Sequence, residues 1–528
     1  MSETTVEAVV GDDVGHPRRW SILVVLCASL ATVMIANASL NMALPAISRE
    51  LHASTSDLQW IVDSYSLVFA GLLFTAGALG DRFGRKGALQ LGLAIFLAAT
   101  IAGAMSSSST QVIGFRALMG VGAAFVMPAT LSIIVNVFPI HERAKAIAIW
   151  TGIAGAGGSL GPIASGFLLE HFSWSSVFLV NIPIVVVALI AGARLLPRSR
   201  DENATRIDVL GSILSIVGLI GLVYTIIEAP AHGWTSTETL LSGAASLLVL
   251  GLFVAWELHT PTPMLEMRWF KDRSFSVGST GMGLTFFALF GMMFLVTQYL
   301  QLVIGYSALN TAIRMLPIAA VMVIVSPQAP RLVQRFGANR VVGGGLGVVA
   351  VGAFLLSRLG VDSGYWTIFG AFVVMVSGMS VAMAPLTNAI MSGVPRDRAG
   401  VGSAMNDVSR ELGGSLGVAV MGSILTSQYA SSLASSVNNL PASARAAADS
   451  SLAGALGVAS QLGEGGNAIA AAAKQAFVDG MSIAFVIGAV VVAVAAIVSG
   501  KLLPREIDEA DHGLGESLPL VEIDEAIV

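Results

Sequence analysis

Charged residues are scarce in this chain. Only 12% of its 528 residues are charged, whereas 55% are hydrophobic, and a soluble domain usually contains about 25% charged residues. A single cysteine, Cys27, is present, which excludes an internal disulfide. The net charge of −5 is small and gives no reason to expect a nucleic-acid partner. This composition predicts a membrane protein whose fold does not depend on an oxidising compartment.

Sequence motifs for chemistry are also missing. No nucleotide-binding motif is visible, which argues against ATP coupling within this chain. Acidic and basic residues are scattered, without the spacing of metal ligands or of an activated nucleophile. We therefore predict no enzyme activity, no catalytic residue, no metal site and no cofactor.

The hydrophobic residues form long runs. A membrane-spanning helix needs about 20 apolar residues, and fourteen segments, predicted helices 1 to 14, approach or exceed this length. They lie near residues 20–44, 58–80, 87–105, 111–136, 144–169, 176–196, 208–228, 239–256, 275–300, 308–330, 341–358, 365–391, 400–426 and 476–500. Runs of this kind are too apolar for barrel strands. They predict an all-α polytopic protein with fourteen transmembrane helices in the lipid bilayer.

The basic residues indicate the orientation of these helices. If the N-terminus lies inside, the predicted cytoplasmic segments contain 21 lysines and arginines and the outer segments contain four. Cytoplasmic loops are enriched in such residues, so this bias predicts that both termini are cytoplasmic. The first 19 residues are polar and acidic and have no basic signal-peptide region, so we expect a cytoplasmic tail.

Two sequence repeats divide the chain. The tripeptide Arg-Phe-Gly at 82–84 recurs at 335–337, and Gly-Gly-Ser-Leu-Gly at 157–161 recurs at 413–417. The offsets, 253 and 256, are nearly equal, which predicts that helices 1–6 and 9–14 form two related halves in the same orientation. Helices 7 and 8 then form an inserted pair. Parallel repeats around a central path are typical of transporters.

These repeats predict the domain boundaries. We expect a cytoplasmic tail 1–19, a first six-helix half 20–196, a linker with the inserted pair 197–274, a second six-helix half 275–500 and a cytoplasmic tail 501–528. The second half includes a long outer loop, 427–475, rich in Ser, Ala, Gly and Asn. We interpret this loop as a mobile spacer with some helix, and a role in substrate gating stays open.

Three motifs resemble those of the major facilitator superfamily. The segment from Gly77 to Lys86, Gly-Ala-Leu-Gly-Asp-Arg-Phe-Gly-Arg-Lys, looks like its loop 2–3 signature. The segment from Arg116, Arg-Ala-Leu-Met-Gly-Val-Gly, resembles its buried-arginine motif, and Gly157-x-x-x-Gly161-Pro162-x-x-x-Gly in helix 5 resembles its antiporter motif. Fourteen spans and the sequence Asn-Met-Ala-Leu-Pro-Ala-Ile ending helix 1 point to the drug:proton antiporter branch with fourteen helices.

The resemblance implies a secondary active exporter in the inner (plasma) membrane of a bacterium. It would exchange small amphipathic drugs or lipophilic metabolites for protons by alternating access between the halves. Two alternatives remain: an exporter of an endogenous lipid or siderophore, and a transporter-like ligand sensor without net transport.

The motifs name candidate site residues. The expected gating loop consists of Gly77, Asp81, Arg82, Gly84 and Arg85, where glycines permit a tight turn and Asp81 can pair with a basic residue to lock one conformer. The alternative interpretation is that these basic residues only set the orientation of the protein in the membrane and have no role in gating. The antiporter motif, Gly157, Gly161 and Pro162, provides a face of small residues for close helix packing and a proline that can kink the helix.

Ionisable residues inside predicted helices are costly to place in a membrane, so each is a functional candidate. The candidates are the six that lie away from the ends of the predicted helices: Asp63, Arg116, Arg314, Asp407, Arg410 and Glu411. Mutual neutralisation for structure is the alternative, and Arg314 is close enough to the outer end to snorkel to the interface.

One position departs from the family pattern. Helix 1 of this family usually carries an aspartate where this chain has Ala36, followed by Asn37. Neither residue can carry a proton, so Asp63 in helix 2 becomes the predicted proton-coupling acid, with Arg116 as the candidate opposing charge. The rival interpretation places an ionised Asp63 in the headgroup region, in contact with substrate or with Tyr65.

Overall fold

The structure is a computed structural model that describes residues 15–197, 199, 208–395 and 399–506. This part of the chain is helical and contains no strand. Its helices are α1 (Arg19–Leu51), α2 (Thr55–Phe83), α3 (Arg85–Ala104), α4 (Ser109–Val137), α5 (Ile140–His171), α6 (Ser176–Leu179), α7 (Asn181–Leu195), α8 (Val209–His232), α9 (Thr237–His259), α10 (Arg273–Gln298), α11 (Ala308–Val325), α12 (Ala329–Phe336), α13 (Ala338–Leu356), α14 (Tyr365–Ser392), α15 (Ala399–Val437), α16 (Ala442–Ser450), α17 (Leu452–Gln461) and α18 (Asn467–Leu502).

Each of the fourteen predicted segments coincides with a long helix or with two helices in sequence. Within the described residues, twelve helical spans are long and apolar enough to cross a membrane, with α6 and α7 forming one span and α11 and α12 another. The other two predicted segments lie on α5 and α15, which are 32 and 39 residues long. Their membrane crossing stays a prediction.

Local sequence explains where helices begin and end. Ser54 and Asp57 form a capping box at the start of α2, in which each side chain accepts a hydrogen bond from the other residue's backbone N–H. Gly84 separates α2 from α3 with φ +120°, and Gly337 separates α12 from α13 with φ +86°. Both glycines adopt a backbone conformation that side-chain-bearing residues rarely take, so the repeated Arg-Phe-Gly builds the same turn twice.

The second sequence repeat also has the same role in both copies. α5 packs along α1, and α15 packs along α10. A methyl group at Gly161 would lie 3.0 Å from the carbonyl oxygen of Ile35 in α1, and one at Gly417 would lie 2.1 Å from that of Phe287 in α10. The glycines therefore permit close backbone approach in each pair of helices.

The helices of the first predicted half, α1–α7, contact those of the second, α10–α18, where α2 packs against α15 and α5 packs against α11. α8 packs on α2, α15 and α9, and the hydroxyl groups of Thr75 and Ser212 are hydrogen-bonded between α2 and α8. In the apolar stretch of α9, only 17% of the residues are buried. The α8–α9 pair thus lies at the side of the bundle, and α8 lies between α9 and the other helices.

The segment 427–475 is more structured than a spacer. It contains the end of α15, α16, α17, a 3-10 turn and the start of α18. The buried Tyr429 hydroxyl donates to the carbonyl oxygen of Ala448, 3.1 Å away, and Thr55 of α2 donates to that of Ser450 at 3.3 Å. Leu433 and Leu452 are also buried. These few large side chains among many small ones anchor the segment, which composition alone does not reveal.

Candidate functional site

One face of α2 carries three polar residues toward α15. Gln59, Asp63 and Ser66 are spaced four and three residues apart, which places them on one side of a helix. Gln59 and Asp63 are fully buried. The Gln59 amide donates to the carbonyl oxygens of Val418 and Ala419, at 3.2 and 2.9 Å. This hydrogen-bonded contact fixes α2 against α15.

The same contact brings two carboxyl groups together. Asp63 lies beside Ser415 and interacts electrostatically with Glu411, and Glu411 lies beside Ser66. Positions later in α2 thus face positions earlier in α15, as expected for antiparallel helices. Neither oxygen of Asp63 has a hydrogen-bond partner within the described residues, and neither does Oε2 of Glu411 or the Ser415 hydroxyl. The site therefore contains buried acceptors that a proton would satisfy.

Arg116 does not form an ion pair with Asp63 among the described residues. Its Nε donates to the carbonyl oxygen of Ile61 at 3.1 Å, and its Nη2 donates to Oδ1 of Asn37 at 3.3 Å. The guanidinium carbon lies 4.3 Å from the centre of the Tyr65 ring. This buried arginine thus connects α4 to α1 and α2, and its electrostatic partners include Glu411.

The position where the family's usual helix 1 acid is absent lies next to this network. Ala36 is buried, and the adjacent Asn37 accepts the hydrogen bond from Arg116. An amide oxygen here satisfies one arginine donor without adding a negative charge.

The three ionisable residues of α15 separate into two groups. Glu411 faces α2, whereas Asp407 and Arg410 pair with each other at 3.7 Å. The Arg410 guanidinium carbon lies 4.6 Å from the ring centre of Phe286 in α10. The side chain of Asp407 is 24% exposed and that of Arg410 is 40% exposed. The Asp407–Arg410 pair is therefore more open than the contact around Asp63.

Arg314 has an aromatic setting. Its guanidinium carbon lies 4.3 Å from the ring centre of Tyr306 and 5.0 Å from that of Tyr365. Tyr365 also donates a hydrogen bond to the carbonyl oxygen of Arg314 at 3.0 Å. Two cation–π contacts stabilise the charge locally, without a contact to the Asp63 site.

The segment predicted as a gating loop is mostly helical: it consists of the end of α2, Gly84 and the first residue of α3, and it is tied to the end of α7. The Arg85 backbone N–H donates to the carbonyl oxygen of Ser199 at 3.0 Å. Lys86 donates to the carbonyl oxygens of Ala193 and Leu196, at 2.8 and 2.9 Å. Arg82 lies 5.6 Å from the ring of its neighbour Phe83. The side chain of Asp81 lies outside the described part, so its pairing stays a prediction.

The antiporter motif of α5 makes contacts on two sides. Ser39 of α1 donates to the carbonyl oxygen of Gly161 at 2.9 Å, and Gly157 packs against Met34. One turn beyond Pro162, a methyl group at Gly166 would lie 2.7 Å from Cα of Leu309 in α11. The motif therefore packs α5 onto α1 and onto α11, which belongs to the second predicted half.

Sequence comparison decides the family. Residues 26–418 match the sequence profile described as the Major Facilitator Superfamily. The chain belongs to this superfamily. Major facilitator proteins are transporters, so the chain is a membrane transporter rather than an enzyme.

Curated relatives in the major facilitator superfamily cover nearly the whole chain. It is 36% identical to the multidrug efflux pump LfrA of Mycolicibacterium smegmatis over 92% of this chain and 97% of that protein. It is 33% identical to the tetracenomycin C resistance and export protein of Streptomyces glaucescens, over 93% of each chain. It is 31% identical to the multidrug resistance protein Stp of Mycobacterium tuberculosis, over 95% of each.

Solved major facilitator structures share the fold. A bacterial homologue of the human lysosomal transporter Spinster has a TM-score of 0.66 at 19% identity, covering 92% of this chain and 96% of that one. A D-xylose–proton symporter has a TM-score of 0.60 at 13% identity, covering 92% and 98%. The all-helical fold predicted from the sequence is confirmed.

The polar residues around Asp63 were not singled out from the sequence. Gln59, Ser66 and Ser415 are uncharged, so a search for intramembrane charge passes over them. The stripe of polar residues at helical spacing on α2 was the available signal. Glu257, which is 1% exposed, lies one residue beyond the predicted span 239–256.

Proposed function

We propose that this transporter exports small amphipathic drugs from the bacterial cytoplasm across the inner membrane, in exchange for protons. Family membership and the names of relatives, which are efflux, export and resistance proteins, support export. The observation that carries proton coupling is the buried carboxyl group of Asp63, which forms no ion pair among the described residues and lies beside Glu411 at the contact between α2 and α15.

The chemistry follows from the cost of burying charge. A carboxylate without a partner in a membrane interior is expensive, so burial favours proton binding and hydration favours proton release. Asp63 belongs to one half and Glu411 to the other. When the halves move apart at this contact, water reaches both groups; when they close, both groups are buried again. Alternating access thereby couples proton binding to conformation.

The orientation we propose has fourteen crossings, with both termini in the cytoplasm and α8–α9 as the inserted pair. Residues 20–196 and 275–500 then form the two halves, 197–274 the linker and inserted pair, and 1–19 and 501–528 the tails. In this orientation Gln59 and Glu170 lie toward the outer ends of α2 and α5. Glu170 accepts a hydrogen bond from Ser307, and Gln301 donates to the carbonyl oxygen of Met42 at 3.2 Å. The halves thus touch at their outer ends, as expected for a cytoplasm-facing conformer.

The remaining candidate residues have supporting roles in this proposal. The segment from Gly77 to Arg85, which contains the end of α2 and the start of α3, acts as a cytoplasmic latch in which Asp81 pairs with a basic residue in one conformer. Gly157, Gly161 and Pro162 let α5 slide and tilt between α1 and α11. Asp407 and Arg410, which pair with each other and are partly exposed, line the substrate path.

Flux through purified protein in liposomes tests the proposal. We expect a pH gradient to drive several amphipathic dyes against their concentration gradients, and a protonophore to abolish this transport. The Gly158→Ala variant serves as a matched control, because a methyl group there meets nothing within 4 Å. A panel including a lipid and a siderophore separates drug export from lipid or siderophore export. Dye binding without flux would identify a sensor and contradict the proposal.

A further inference from the structure

A second pair of carboxyl groups lies outside the Asp63 site, where the start of α8 meets the end of α9. Asp208 precedes the first residue of α8, and Glu257 is in the last turn of α9. Asp208 is 9% exposed and Glu257 is 1% exposed. Buried carboxyl groups at a helix end need an explanation, because nothing in transport between α2 and α15 uses them.

The hydrogen bonds at the two carboxyl groups are unequal. Asp208 Oδ1 accepts from the backbone N–H of Gly211 at 2.8 Å. The indole Nε1 of Trp256 donates to both oxygens of Asp208, at 2.9 and 3.0 Å. Glu257 Oε2 accepts from the Leu265 backbone N–H at 3.0 Å, whereas Glu257 Oε1 is buried with no partner among the described residues.

Gly211 shows how close the carboxyl groups are. A methyl group at this glycine would lie 2.4 Å from Glu257 Oε1 and 2.5 Å from Asp208 Oδ2. The two oxygens are therefore no more than about 5 Å apart. Glu257 also interacts electrostatically with Asp208.

We propose that Asp208 and Glu257 bind one proton between them and form a proton-binding site separate from Asp63. Two carboxylates this close, shielded from water, repel each other, and one shared proton removes that repulsion. Both oxygens of Asp208 already accept hydrogen bonds, from the Gly211 backbone N–H and the Trp256 indole. The proton therefore resides on Glu257, whose Oε1 has no other donor.

The surroundings favour a proton over a larger cation. The groups facing the pair are Trp256 from α9, Gly211 from α8 and the backbone of Met264 and Leu265 from the following turn. No Lys, Arg or His within the described residues forms an ion pair with either carboxyl group. A metal ion would need more oxygen ligands than two carboxylates supply.

The site is connected to α2 two residues before Gly77, where the segment predicted to gate transport begins. Ser212, one turn into α8, is hydrogen-bonded to Thr75 of α2 and lies 3.7 Å from the Met264 sulfur. Glu257 holds the adjoining turn through Leu265. Losing the shared proton would place two negative charges at this junction and loosen α8 from the part of α2 that precedes Asp81. On the orientation proposed above, the site responds to cytoplasmic pH.

Trp256 provides a direct reporter, because its indole N–H is bonded to Asp208. We would measure the fluorescence of the full-length protein in nanodiscs from pH 5 to 9 and subtract the spectrum of Trp256→Phe to isolate this residue. We expect a single titration in the native protein and none in Glu257→Gln, which mimics the protonated acid. Glu238→Gln, at an exposed position of the same helix, should titrate like the native protein.

Thermal unfolding gives a second readout. The folded pair binds its proton more tightly than the unfolded chain does, so its stabilisation is complete at low pH and is lost as pH rises through the titration. Glu257→Gln should abolish this loss. A Trp256 signal that is independent of pH, or an unchanged titration in Glu257→Gln, would overturn the proposal. So would a signal that responds to Na⁺ or Ca²⁺ at constant pH, because it would show a metal site.

Discussion

The Gln59 side-chain amide in α2 donates a 2.9 Å hydrogen bond to the carbonyl oxygen of Ala419 in α15. Its position matters because Asp63 lies one turn further along the same face of α2. This contact between α2 and α15 therefore also covers the carboxyl group of Asp63. In the proposed mechanism, a motion that opens this contact breaks the Gln59 hydrogen bonds and exposes Asp63, so that conformation and proton binding are linked without a separate relay.

Close helix packing gives a first prediction. Gly417→Ala should lower the thermal stability of the protein, because the added methyl group would lie 2.1 Å from the Phe287 carbonyl oxygen. Overpacking of this kind costs about 1–3 kcal/mol. Gly158→Ala, whose methyl group meets nothing within 4 Å, should leave stability unchanged. Thermal unfolding of both variants in the same detergent makes the comparison, and equal stability would contradict the packing account.

A second prediction concerns topology. The bias of basic residues places 427–475 outside and 197–206 inside. In a variant lacking Cys27, which is buried, cysteines introduced as Ser443→Cys and Thr205→Cys can be treated with an impermeant thiol reagent on intact cells. We expect labelling at 443 and protection at 205 until the membrane is permeabilised. The reverse pattern would contradict the orientation.

The third prediction concerns Asp81, near the end of α2. If Asp81 pairs with a basic residue in one conformer, Asp81→Asn should slow dye flux while membrane insertion and dye binding remain close to native. A latch affects the rate of conformational exchange more than the affinity for the dye. Binding and flux measured on the same liposomes distinguish these effects. Loss of folded protein would instead assign Asp81 a structural role.

The fourth prediction concerns the ionisable residues of α15. The sequence offset of 256 aligns Asp407, Arg410 and Glu411 with Thr151, Ala154 and Gly155, so α5 has no charge at the three matching positions. Replacing the three residues with those counterparts should impair efflux, its proton coupling or both. Glu411→Gln alone should affect coupling, because Glu411 faces Asp63, whereas removing the Asp407–Arg410 pair should affect dye selectivity. Unchanged efflux and coupling in the triple variant would contradict both roles.

The features that depend on local sequence could be predicted. Long apolar runs gave helices at each of the fourteen segments, and the repeated glycines marked turns and close helix pairs in both halves. The partners of buried polar groups could not be predicted, because they depend on how helices meet in space. Arg116 shows this: its charge marked it as important, but its contacts with Asn37 and Ile61 arise from the packing of α4 on α1 and α2. Glu257 was not identified as a candidate because the predicted span ended at residue 256, three residues before the end of α9.

Proton-driven uphill transport by Asp63→Asn tests the central claim most directly. The substitution keeps the size of the side chain and removes its ability to carry a proton, with Asn37→Asp as a companion that restores an acid beside the usual helix 1 position. Purified protein in liposomes would be given a dye and a pH gradient, and uphill flux, downhill exchange and dye binding would be compared with the native protein. The account predicts that Asp63→Asn loses uphill transport but retains dye binding and part of the downhill exchange. Uphill pumping by Asp63→Asn with an unchanged pH dependence would contradict it and would assign proton coupling to Asp407 or Glu411.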